Sequence, residues 1–228
     1  MARAFLPIGC GPILSCRREV YAYWSSLPRD SRPKLYLHGP SLGAMNSELS
    51  ASLYDIIANP FQGALWSGPP FPSRTWRSVT DDRNAGSPQR LPRFRDASIF
   101  RFTNQNNVLE IPAASWGPIR IVYLQYASDP ITFFGAATLY REPDWMKGPR
   151  GPDVSEQVRW YPLITMLQLT VDMAIATTSP IGYGHVFAPQ HYIDAWLAVT
   201  EPPNITAEDV ARLKTFFFNR GATPAISG

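Results

Sequence analysis

The sequence predicts an α/β fold with a mainly parallel sheet, and three observations carry that expectation. Short β-prone runs (KLYLH, GALWSG, IRIVYLQYA) alternate with stretches whose apolar residues recur at helical spacing. The strongest run holds Ile119, Ile121, Val122, Tyr123 and Leu124 almost without interruption, as a strand covered on both faces requires. A chain of 228 residues with 45% hydrophobic content can bury one sizeable core, so one domain is the default. With 23 prolines and only 17% charged residues, it reads as a folded chain with long, proline-punctuated loops rather than a disordered one.

The elements follow in order. Val20, Tyr21, Trp24 and Leu27 have helical spacing, and Pro28 stops that helix. KLYLH is a strand bounded by Gly39. From Leu42, the apolar positions Met45, Leu49, Leu53 and Ile56 mark one helix that ends before Asn59 and Pro60. GALWSG is a second strand, ended by Gly68, Pro69 and Pro70. SRTWRSVTDD predicts a short helix, and SIFRF a further strand. A helix is expected over 157–177, buried, because its apolar stretch is interrupted by Gln168 and Asp172 and is too short for a membrane span. Helices over 189–198 and 206–218 close the chain.

Charge and cysteine usage exclude several function classes. The net charge of +3 is mild. Arg90, Arg93, Arg95 and Arg101 form a local basic run, read as a solvated loop because no stacking aromatics alternate with it as a nucleic-acid surface would need. Cys10 and Cys16 form neither a disulfide framework nor a zinc pair, and no metal or cofactor is expected. The opening MARAFLPIGCGPILSC resembles a signal peptide only weakly, since prolines interrupt its apolar part.

The chemistry concentrates in GPSLG, residues 39–43, which fits G-x-S-x-G. A strand that reverses sharply into a helix strains the backbone at the serine and pushes the Ser41 hydroxyl above the sheet. Gly39 and Gly43 are expected because side chains there would crowd the turn. The same turn aims the Leu42 backbone N–H at a developing oxyanion. The pattern alone is weak: a chance match in a chain this long is on the order of one in ten. The strand before it and the helix after it supply the required context. The competing reading is a serine that merely caps the helix.

A nucleophilic hydroxyl needs a base and an orienting carboxylate. Of the three histidines, His38 leaves the strand in the wrong direction and suits packing. His191 stands at a helix start and suits the surface. His185, in GYGHVF, lies on a loop able to bring an imidazole over a strand end. Asp129 stands just past the strongest strand, where a parallel sheet gathers its functional residues. Asp153 and Asp172 are rivals, one in a proline-rich loop and one in a helix. Asp129 could equally begin an ordinary turn before Pro130. The chain order Ser41, Asp129, His185 is the order used on this type of sheet.

Long stretches resemble one family: RPKLYLHGPSLGAMNSE, FQGALWSGPPF (with Asn59 upstream where the family has aspartate), RIVYLQYASDPITFF, REPDWM, RGPDVS, RWYPLITMLQL and GYGHVFAPQHYIDAW. Together they resemble the catalytic domain of a bacterial α/β-hydrolase family whose longer members carry a membrane-spanning N-terminal region. The resemblance implies an α/β-hydrolase-type three-layer sandwich and a serine hydrolase with Ser41, Asp129 and His185 as its triad. It places the catalytic domain at 18–218, between an atypical segment at 1–17 and a tail at 219–228. It also implies membrane association through the N-terminal region. The family domain begins well before its elbow, so the first strands are expected to be missing, with an exposed sheet edge and one oxyanion donor lost. Losing one such donor costs on the order of a hundredfold or more in rate.

The expected partner is a small-molecule or lipid acyl substrate, with no nucleic acid. Trp66, Trp76, Trp116, Phe133, Phe134 and Trp145 would suit an apolar acyl group, though core packing explains each equally well. The alternatives are an acyltransferase on the same scaffold and a non-catalytic remnant that binds or assembles.

Overall fold

Four short runs pair into one sheet, and the two that are buried nearly along their whole length lie in its interior. The computed structural model describes residues 13–49 and 53–221. The strands are β1 (Tyr36–Pro40), β2 (Gly63–Ser67), β3 (Phe100–Thr103) and β4 (Arg120–Leu124). All pairings are parallel, in the order β1-β2-β4-β3. β2 and β4 occupy the interior, and Leu65, Val122, Tyr123 and Leu124 are fully buried there. The strand expected to lie centrally is therefore interior, although it ends at Leu124 rather than continuing to Ala127.

Eight helices surround the sheet among the described residues. α1 (Ile13–Ser26) comes first; α2 (Leu42–Leu49), α3 (Leu53–Ala58) and α4 (Arg74–Asp81) follow, with α5 (Pro130–Phe133) after β4. α6 (Ile164–Ala174), α7 (Pro189–Thr200) and α8 (Ala207–Gly221) complete the chain. Ala44 of α2, Trp76 and Val79 of α4 and Phe133 of α5 pack with Leu37, Trp66, Ile121 and Tyr123 on one face. Ala195 and Val199 of α7 pack with Leu65, Val122 and Leu124 on the other. Helices on both faces of a parallel sheet are the α/β sandwich that the sequence predicts.

The register matters most for the site. Pro40, Ser67, Leu124 and Thr103 align in one row across the sheet, so all four strands end together. Hydrogen bonds continue one step beyond: Ser41 N–H to Ser67 O (2.8 Å), Gly68 N–H to Leu124 O (2.9 Å) and Gln125 N–H to Thr103 O (3.0 Å). The residues that leave the strands therefore start from a single rim.

Three expectations need correction. The helix foreseen over 157–177 spans only Ile164–Ala174, because Pro162 precedes Leu163, whose backbone turns to φ +65°. Nor is that helix buried. Thr165 and Leu169 face inward, while Ile164, Leu167 and Val171 are each more than 60% exposed, since α6 covers the body with one face, along α5 and the turn at Ala136–Leu139. The basic run is not wholly solvated. Arg101 is buried, stacks on Trp116 and donates to the carbonyls of Ala97, Leu109 and Ala114, so it organises the loops around β3. The stretch expected as one helix from Leu42 to Ala58 is helical over α2 and α3, and its residues 50–52 lie outside the described residues. Most of the atypical N-terminal segment (1–12) and of the tail (222–228) also lies outside them.

One buried acid ties α2 to the sheet and to α4. Glu48 accepts from the Tyr123 hydroxyl (2.9 Å) and from the Thr75 N–H (3.2 Å) in the first turn of α4. It thereby does the capping that the Ser73 hydroxyl does not. Burial pushes its carboxyl from 4.5 to about 7, while those hydrogen bonds pull the other way. The folded chain then holds this proton more tightly than the unfolded chain does. The corresponding stability is full below pH 4.5 and is lost as pH rises through about 7. The amount is on the order of 3 kcal/mol. Denaturant unfolding of Glu48→Gln beside the wild type should show the variant gaining relative stability by about that amount between pH 5 and pH 8. A pH-independent difference would contradict this account.

Candidate active site

The elbow is built by a backbone contact. A β-carbon on Gly39 would lie 2.3 Å from the carbonyl carbon and oxygen of Gly43, so α2 begins pressed against the strand it has just left. No side chain fits between them. Reversing the chain in so short a distance puts Ser41 at φ +52°, a conformation costly for a residue with a β-carbon. Ser41 also starts the helix: its carbonyl accepts from Ala44 N–H (2.9 Å) and Met45 N–H (3.3 Å). The Ser41 N–H is already committed to Ser67 O. Among the described residues the Leu42 N–H has no acceptor, as at the open end of any helix. Gly43 itself is not sterically required, contrary to expectation. A β-carbon there would meet only Pro40 Cδ at 3.4 Å, an ordinary contact.

Asp129 stands where the chain leaves β4 and begins α5. It is fully buried, and three donors offset the cost of burying it. Its Oδ1 accepts from Ile131 N–H (2.9 Å), and its Oδ2 accepts from Thr132 Oγ1 (3.1 Å) and His185 Nδ1 (2.7 Å). The aspartate is thus an N-cap of α5, and the helix start sets its orientation. Because a carboxylate only accepts, His185 presents Nδ1–H to it and keeps the Nε2 lone pair for other work.

His185 reaches this position on a tight loop. Gly184 sits at φ +56°, with no room for a β-carbon against Ser179 Oγ at 2.5 Å. The ring of His185 lies over Gly68: a β-carbon there would meet His185 Cε1 at 2.6 Å. Gly68 directly follows Ser67, whose carbonyl holds the Ser41 N–H. Ser41 and His185 are therefore brought to the same step of the sheet rim. Among the described residues the Ser41 hydroxyl itself has no hydrogen-bond partner.

The other candidates fall elsewhere. His38 donates from Nδ1 to Leu65 O (2.8 Å) and packs on Tyr192 and Trp196, a structural position. His191 is not at the surface as expected. It is half-buried and bonded to the Tyr126 hydroxyl, and burial pushes its imidazole below the ordinary range. Asp172 lies on α6 and lines the same pocket as Asp129, makes no hydrogen bond to a histidine among the described residues, and burial raises its carboxyl. Asp153 accepts from the backbone N–H and the hydroxyl of Ser128. Trp66 and Trp76 belong to the core, with their indole N–H groups on Ser47 and Gln125.

Sequence reasoning missed Gly68 and Ser128. The sequence marks Gly68 only as the end of a strand, although its φ of +51° and the rings packed on it make it a platform for His185. An apolar groove of about 460 Å³ runs between α7 and α8 and begins at Phe187, whose ring stands 5.6 Å from that of His185.

The two glycines of the elbow separate sharply in a stability measurement. Gly39→Ala forces backbone against backbone and should cost about 3 kcal/mol in urea unfolding. Gly43→Ala adds a methyl in a helical turn and should stay within about 1 kcal/mol of the wild type. Equal costs would mean that the close approach at Gly39 does not define the turn.

A family model described as an alpha/beta-hydrolase family matches residues 15–213. No curated protein and no solved structure matches the chain.

Proposed function

The chain belongs to the alpha/beta-hydrolase family, and we propose that it is a serine hydrolase cleaving an ester or related acyl bond. One observation carries this reading. The hydrogen-bonded His185–Asp129 pair stands over the strand rim from which a strained Ser41 projects. The catalytic unit is the segment 18–218, and it needs no cofactor.

In the first half-reaction His185 Nε2 takes the Ser41 proton as Oγ attacks the acyl carbonyl. Asp129 holds the imidazole in the tautomer that can do so and stabilises the imidazolium that forms. The Leu42 N–H faces the charge that develops on the carbonyl oxygen. The tetrahedral intermediate collapses, and the leaving alcohol receives the proton from His185. In the second half-reaction water attacks the acyl-enzyme with His185 again as base, releasing the acid and restoring Ser41.

The surroundings support an apolar acyl group, lipid included. Leu42 beside the nucleophile is 61% exposed, and Ile181 and Tyr183 on the histidine loop are 53% and 52% exposed. An alcohol in place of water would make the same intermediate an acyl donor, and product analysis with added alcohol distinguishes the two.

A fluorophosphonate probe tests the central claim. It should label the wild type and leave Ser41→Ala and His185→Ala unlabelled, because His185 supplies most of the activation, worth on the order of a thousandfold or more. A folded wild type that resists the probe would sink the enzyme reading and leave a binding or assembly role. With p-nitrophenyl esters, kcat/KM should rise with acyl length by up to about fourfold per methylene. A flat series would remove the apolar-substrate claim alone.

A further inference from the structure

Ser128 and Asp129, adjacent in sequence, hold Gly184 and His185, also adjacent. Asp129 takes the imidazole, and Ser128 Oγ accepts the Gly184 N–H at 2.9 Å. The Ser128 hydroxyl has one proton to give, and it goes to Asp153 Oδ2 at 2.6 Å. The same oxygen also accepts the Ser128 backbone N–H at 2.9 Å. With its proton committed, the hydroxyl can only present a lone pair to the histidine loop.

Asp153 is held in turn. Gly151, two residues earlier, packs so tightly on the chain leaving β4 that a β-carbon there would lie 2.2 Å from Ala127 Cβ. The other carboxylate oxygen of Asp153 is buried and has no partner among the described residues. A buried acceptor left unpaired costs stability, so packing does not account for an aspartate at this position. Its two bonds to Ser128 do, if fixing Ser128 is its purpose.

We propose that Asp153 is a positioning residue for His185, acting through the Ser128 hydroxyl and the Gly184 N–H. This rests on the serine-hydrolase reading for its kinetic consequence, but its geometric consequence stands apart from that reading. His185 depends on Asp129 for its tautomer and on Asp153 for where its loop lies. Outer partners of this kind commonly contribute about 10- to 100-fold to the function of the residue they orient.

The test compares Asp153→Ala, Asp153→Asn, Ser128→Ala and the double variant Asp153→Ala/Ser128→Ala. Two readouts are used: the second-order rate of fluorophosphonate labelling at Ser41, and proton NMR of the folded proteins. Asp153→Ala should slow labelling by about tenfold or more. Asp153→Asn, whose amide oxygen can accept the same two bonds, should recover most of that loss. The double variant should be no slower than Ser128→Ala, because both changes break one chain of contacts. The low-field Nδ1–H signal of His185 should weaken in Asp153→Ala, and the Gly184 amide should lose protection from exchange.

Wild-type labelling rates in Asp153→Ala, or losses that add in full, would overturn the proposal. A wild type that never labels would overturn the hydrolase reading instead. The NMR arm then decides alone: unchanged His185 and Gly184 signals in Asp153→Ala refute the positioning role, and their loss supports it. Should Asp153→Ala fail to fold, Ser128→Ala and Asp153→Asn carry the same comparison.

Discussion

The close approach of Gly39 to Gly43 is the constraint from which the rest of the site follows. Because α2 must start against the backbone of β1, the chain has a single residue in which to reverse, and that residue is Ser41. The strain at φ +52° is the cost of the reversal, and the packing of Ala44 under the sheet helps to hold it. A looser turn would let the serine relax into an ordinary helix cap, and its side chain would no longer stand above the strand ends. Glu48 secures the other end of the same helix by joining it to Tyr123 of β4 and to the start of α4.

The common rim of the four parallel strands then places the remaining parts. β4 delivers Asp129 a few residues beyond the point where β2 delivers Gly68. Asp129 serves two structures at once. One oxygen begins α5, and the other accepts His185 and Thr132. Its carboxylate is therefore oriented before the imidazole arrives, which lowers the ordering required to assemble the pair.

Much of this could be read from the sequence because it depends on short-range rules. The β-prone runs, the strand-turn-helix context of GPSLG and the aspartate past the strongest strand are all local signals. The preference for His185 over His38 and His191 rests on which loop can reach the rim, and the structure pairs His185 with Asp129. What escaped was decided by partners distant in sequence. His191 is drawn inward by Tyr126, 65 residues away. Arg101 escaped for a different reason: its partners, three loop carbonyls and Trp116, are near in sequence, and only the path of the loops makes them converge on it. The helix expected over 157–177 is mostly apolar and reads as buried, yet only one narrow face of α6 finds a surface to cover. Gly43 differs from expectation because the motif names the residue, whereas the geometry needs only its backbone.

Among the described residues β1 has a strand neighbour on one side only, with Pro40 as its last residue. A strand held by a single ladder opens more readily than an interior one, since fewer hydrogen bonds and less buried surface must be lost. Of the two strands held this way, β1 and β3, β1 is the one whose end becomes the elbow. Where β1 opens locally the elbow loosens with it while β2 and β4 stay paired, so the share of molecules with Ser41 raised depends on that local equilibrium as well as on global unfolding. Substitutions or ligands that tighten β1 against β2 would raise that share without touching a reacting group, and heating would lower it before the fold itself is lost.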